Sequence, residues 1–158
     1  MQQASFMHRF IPGLLSLLLL SCGTDLEATE VVLIVDSDLQ PIVEINRIDV
    51  SVFDASGQAM GATASLMAGD IALPRTIGIV NEGERLGPFR IEATAFLDGM
   101  SVLSRTMTFD FVADRIMQLR LDLTRACLDV ECVAPQSCNG RGVCAGTDVE
   151  LEDFTGEF

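Results

Sequence analysis

Five cysteines carry most of the chemistry this chain has available. Four of them, Cys127, Cys132, Cys138 and Cys144, are spaced C-x4-C-x5-C-x5-C, with Pro135, Asn139, Gly140 and Gly142 between them. Thiols so placed can close two disulfides or hold a metal ion. The fifth, Cys22, stands alone behind Ser21 and the apolar run Leu14 to Leu20. Other reactive side chains are scarce: the only histidine is His8, and Lys, Tyr and Trp do not occur. A chain with no later histidine has no Ser–His or Cys–His nucleophile pair and no imidazole base in its body. Without lysine there is no Schiff base. What remains is carboxylates working in pairs, or a metal held by oxygen ligands. Asp36 and Asp38 form an acid pair at a strand end. Hard oxygen ligands suit Ca²⁺, but the Gly-containing loop of calcium motifs is missing, so a solvated turn is the expectation there. No catalytic residue, metal or cofactor is predicted.

The N-terminal segment has the three-part build of a secretory signal. His8 and Arg9 precede the apolar stretch, and small Ser21 and then Cys22 end it. Phe10 to Leu20 is well short of the ~20 residues a spanning helix needs, and Pro12-Gly13 interrupts it. Its last four residues, Leu19-Leu20-Ser21-Cys22, resemble the lipobox of bacterial lipoproteins. The resemblance implies a signal peptide over 1–21, cleavage before Cys22, acylation of the Cys22 thiol, and a lipidated tether over 22–28. Gly23, in place of Asp after the cysteine, is unlike the inner-membrane retention signal of enterobacterial lipoproteins, which implies the outer membrane.

An exported chain meets an oxidising compartment. Cysteines clustered in a Gly-rich stretch too short to build its own core then read as a disulfide-rich knot, over 126–145. Two bonds are expected, and three pairings are open in principle. A zinc site is disfavoured, because the paired C-x2-C knuckles are missing. The spacing is similar to half of an EGF-like module, which implies crossed pairing, Cys127 with Cys138 and Cys132 with Cys144. Cys22, the odd cysteine, is the one the lipid would occupy.

The elements between these cysteines read as strands. Glu30 to Asp36 contains five consecutive aliphatic residues bounded by acids, Val31 to Val35. Ile45 to Phe53 alternates, with Ile48, Val50 and Val52 on one face. Asp54-Ala55-Ser56-Gly57 is a reversal, and Gln58 to Met67 returns as an edge or irregular strand. Thr76 to Val80 is short, and Asn81 to Pro88 reads as a flexible connection. Phe89 to Leu97 and Met100 to Phe111 flank Asp98-Gly99, a strong hairpin signal. Arg105 interrupts the apolar face of the second of these, either as a paired semi-buried charge or because the face there opens to solvent, and an edge is the preferred reading. Arg115 to Leu123 alternates last. Seven strands with turn residues between them and no capped helical pattern predict an all-β fold: a single antiparallel β-sandwich over 29–125, immunoglobulin-like or transthyretin-like, followed by the knot. The buried Trp and inter-sheet disulfide of antibody domains are absent.

Residues 146–158 are acidic and read as a disordered tail. The formal net charge of −13 disfavours nucleic acid and anionic headgroups as partners. As an architecture, the chain resembles uncharacterised lipoproteins of Gram-negative bacteria. The resemblance implies a non-catalytic envelope protein, a binding or structural module held to the membrane by its N-terminal lipid, with an envelope protein or glycan as ligand. Two alternatives use the acids: a carboxylate-dependent hydrolase acting on envelope glycans, and a Ca-dependent adhesive sandwich.

Overall fold

The computed structural model describes residues 28–67 and 73–156. The lipobox and Cys22 lie outside the described residues. Seven long strands follow the alternation in the sequence: β1 (Glu30–Ser37), β2 (Arg47–Phe53), β3 (Ala59–Met67), β4 (Arg75–Val80), β5 (Phe89–Leu97), β6 (Met100–Phe109) and β7 (Ile116–Leu123). Three two-residue strands come after them: β8 (Ser137–Cys138), β9 (Cys144–Ala145) and β10 (Glu152–Asp153).

The seven long strands and β10 form two four-stranded sheets, ordered β10-β7-β1-β4 and β3-β2-β5-β6. Every ladder is antiparallel except that of β1 with β7, the first and last long strands, which run parallel as neighbours. Antibody constant domains place the first strand beside the second. Here β2 lies in the opposite sheet from β1, so the strand order is not that of a constant domain. The periodicity explains the core. Val31, Leu33 and Val35 of β1 face Ile48, Val50 and Val52 of β2, Ile91, Ala93 and Ala95 of β5, and Leu119, Leu121 and Leu123 of β7, all buried in one cluster. Each fully buried Leu or Ile contributes about 1.5–3 kcal/mol.

Turn chemistry sets the hairpins. Asp98 and Gly99 take φ of 52° and 84°, the paired positive values a two-residue hairpin loop requires. Arg105 does lie on an edge strand, β6, yet it is half-buried. Its guanidinium donates to the Asp122 carbonyl at 2.9 Å. Burial pushes its pKa below the usual arginine value, opposed by the Asp122 charge.

The two expected disulfides are present, Cys127–Cys138 and Cys132–Cys144, so the crossed pairing holds. The knot is docked on the sandwich: Ser137 Oγ accepts from Thr106 N at 2.9 Å, and the Gly140 carbonyl accepts from Thr124 Oγ1 at 2.7 Å.

The tail corrects the sequence reading. Residues 146–156 are not loose: Thr108 N donates to Thr147 O and Val149 N to Thr108 O, at 2.8 and 2.9 Å. Beyond them β10 pairs antiparallel with β7, Glu152 opposite Gln118. Val149 and Leu151 pack against the core, and Arg115 ion-pairs with Asp153. Composition suggested disorder because acids dominate the segment. The two aliphatic side chains and the unpaired backbone of β6 and β7 outweigh that, closing the seam between the sheets.

At the far end of β1, Arg125 clamps Glu44 with a bidentate guanidinium, and Gln40 N donates to the same carboxylate at 2.8 Å. These bonds, Arg125 first, hold the Glu44 pKa at about 2 against an ordinary 4.5. A depressed carboxylate contributes stability that is fully present above its unfolded pKa and lost as pH falls through the folded one. The contact between the β1–β2 loop and Arg125, just before the knot, is therefore expected to hold above about pH 4.5 and to release towards pH 2. Carboxyl NMR titration checks this: a Glu44 midpoint near the ordinary value would refute the clamp.

Candidate functional site: a groove at the open side of the sandwich

An open groove of about 790 Å³ lies between the β2–β3 turn, the end of β4 and the β4–β5 connection. Each wall has a local cause. Asp54 caps its own turn, accepting from Ser56 N, Ser56 Oγ and Gln58 N at 2.9, 2.6 and 2.9 Å. These bonds, the Ser56 hydroxyl foremost, lower the Asp54 pKa, and the charge of Arg85 adds to the effect. Asn81 organises the other wall: its side chain donates to Arg85 O at 2.7 Å and accepts from Gly83 N at 3.0 Å. The wall is tied down where Phe111 N donates to Leu86 O at 2.6 Å. Gly87 permits that approach, because a Cβ there would stand 1.7 Å from Asp110 Oδ1 and 3.0 Å from the Asp110 Cα.

Ile79, Met60 and Phe89 give the groove its apolar surface. Phe89 is fixed from behind by Phe111, edge-on at 4.8 Å between ring centroids, and Phe111 meets Phe109 edge-on at 5.1 Å. Such a trio is rigid and adds about 0.5–1.5 kcal/mol per pair beyond area burial. The charged lining is predominantly acidic: Asp54, Glu82 and Glu84 against the single cation Arg85. Glu82 and Glu84 are exposed, and neither has an ion pair among the described residues.

The residues singled out from the sequence lie elsewhere. Cys127, Cys132, Cys138 and Cys144 are consumed in disulfides. Asp36 accepts from Ser37 N and pairs with Arg120, and Asp38 accepts from Arg125 N at 2.6 Å. Two arginine-containing contacts thus use the acid pair as turn and strand-end fasteners. Among the described residues no group of three or more His, Cys, Asp or Glu side chains could hold a metal ion. The groove itself was not visible in the sequence. Its walls read separately, as a reversal and a flexible connection, and only the crossing from β3 to β4 brings them together.

No protein-family model matches the chain, and no curated protein matches it.

Proposed function

We propose that the protein is a lipid-anchored envelope module that binds a partner through the groove and performs no catalysis. The lipobox-like Leu19-Leu20-Ser21-Cys22 supports the anchor. The observation that carries the binding reading is the asymmetry of the sandwich: the C-terminal segment covers one lateral seam, while the other carries a groove with an apolar floor and uncompensated acids. Asp54, the groove carboxylate with the most contacts, has three local donors that keep it ionised. A glycosidase needs one carboxylic acid with a raised pKa to protonate the leaving group, and Asp54 is shifted the opposite way. This removes Asp54 as the general acid of the hydrolase reading.

Thr29 O accepts from Asn81 N at 2.9 Å, so the first described residues lie at the groove end of the sandwich. Two or more acyl chains make a stable anchor where one is marginal, at about 0.8 kcal/mol per buried CH₂. Cys22→Ala is accordingly expected to move the protein from the membrane fraction to the soluble one. Crosslinking of the intact protein in its own envelope is expected to recover a partner joined through the groove walls. Unchanged membrane association of the variant would remove the anchor, and an envelope in which no partner is recovered would remove the binding function.

A further inference from the structure

Among the described residues no strand pairs with the outer edge of β4, and that edge narrows the choice of ligand. Asn81 N donates to Thr29 O, and the register continues without a shift through Val31 opposite Ile79 and Leu33 opposite Ile77. In an antiparallel ladder, bonded and non-bonded pairs alternate. The residues of β4 that bond to β1 are therefore Ile77 and Ile79. Thr76, Gly78 and Val80 turn their N–H and C=O groups away from β1. Glu30 N, opposite Val80, confirms the phase by donating to Arg115 O on the β7 side. Gly78 and Val80 line the groove, so their outward backbone groups open into it.

On the far side of the sandwich the chain covers the edges of β6 and β7. On β6, Thr106 N bonds to Ser137 Oγ and Thr108 N to Thr147 O, while β10 lies along β7. An uncovered strand edge is a template for pairing with another chain. Proteins that exploit one take an extended peptide as an added strand, with the backbone giving affinity and alternate side-chain pockets giving specificity. The groove has both parts. Gly78 and Val80 present the outward backbone groups, Val80 and Met60 offer apolar side chains, and the exposed Glu82 and Glu84 have no ion pair among the described residues.

We infer that the groove binds an extended polypeptide segment of alternating basic and apolar residues from another protein, added as a strand to the β4 edge. This deepens the binding reading above and rests on it. The charge chooses the partner: a second copy of this acidic chain, net −13, would bring like charge to an acidic rim, whereas Lys or Arg on an incoming strand meets unpaired carboxylates.

The test uses the full chain in detergent and a labelled Lys-Val-Lys-Val-Thr-Val-Lys peptide, with a Glu-for-Lys peptide and a Pro-interrupted one as comparisons. The Lys peptide is expected to bind at least about tenfold more tightly than either, and to weaken severalfold between low and physiological salt as rim charges are screened. The amides of Gly78 and Val80 should gain hydrogen-exchange protection on binding. Val80→Pro removes an outward N–H and no bond to β1, so it is tolerated at an edge and is expected to weaken binding at least about tenfold. The E82K/E84K double variant changes only exposed loop residues, and is expected to invert the preference between the Lys and Glu peptides even where the proline variant folds poorly. Binding that leaves the Gly78 and Val80 amides unprotected, or that survives both variants, overturns the inference. So does self-association through β4 without peptide binding. A crosslinked envelope partner joined at the groove, together with peptides that do not bind, would overturn the strand-addition ligand while the binding function stands.

Discussion

Removing residues 146–158 is expected to destabilise the sandwich by about 2–3 kcal/mol. Val149 and Leu151 are partly buried against the core, and half-burial of two aliphatic side chains contributes about 2 kcal/mol. The two backbone bonds to Thr108 add about 1 kcal/mol each, offset in part by the entropy of ordering the segment. The urea midpoint measures the sum. Truncation also deletes Asp148, Glu150, Glu152, Asp153 and Glu157, relieving repulsion in an acidic chain, so the measurement belongs at high salt, where that relief is screened. A Val149→Ser, Leu151→Ser double variant keeps the charges and should reproduce most of the loss. Deletion without any change of midpoint would show that the tail lies on the seam without holding it. With the seam open, the edges of β6 and β7 become templates for intermolecular pairing, and the truncated protein should aggregate more readily than the parent.

Replacing Cys127 and Cys138 together by Ala is expected to cost about 3 kcal/mol of local stability, the chain-entropy value for a short closed loop. The sequence separation is 11 residues for this bond and 12 for Cys132–Cys144, so entropy alone makes them equal. Burial separates them. Cys127 and Cys138 are each 5% exposed, whereas Cys132 and Cys144 are only half-buried. The first pair should therefore cost more. Both losses should fall on the knot, because the core cluster is built from residues of the sandwich strands and their connections and contains neither bond. Hydrogen exchange resolves this: reduction is expected to release the amides of β8 and β9 while those of β1, β2, β5 and β7 stay protected. Loss of protection in β1 or β7 on reduction would mean that the sandwich depends on the knot.

The sequence by itself determined the strands, because each of the long ones carries a signal confined to its own residues. Alternation fixed which face of β2, β5 and β7 is buried, Asp98-Gly99 fixed a turn, and the cysteine spacing marked a two-bond knot whose crossed pairing is the one the EGF-like resemblance implies. The tertiary structure decided what depends on residues far apart in the chain. Alternation states that a strand has a buried face, but not which strand it pairs with, so the parallel neighbours β1 and β7 followed only from the folded chain. Net acidity pointed towards a disordered tail, yet the segment is held by a seam that exists only once β6 and β7 face each other. Asp36 and Asp38 read from the sequence as a solvated turn, and only folding brings Arg120 and the Arg125 amide to them. The groove depended most on the fold. Its acids, its apolar floor and the outward amides of β4 come from separate segments, each unremarkable alone, and the crossing between sheets is what brings them to one edge.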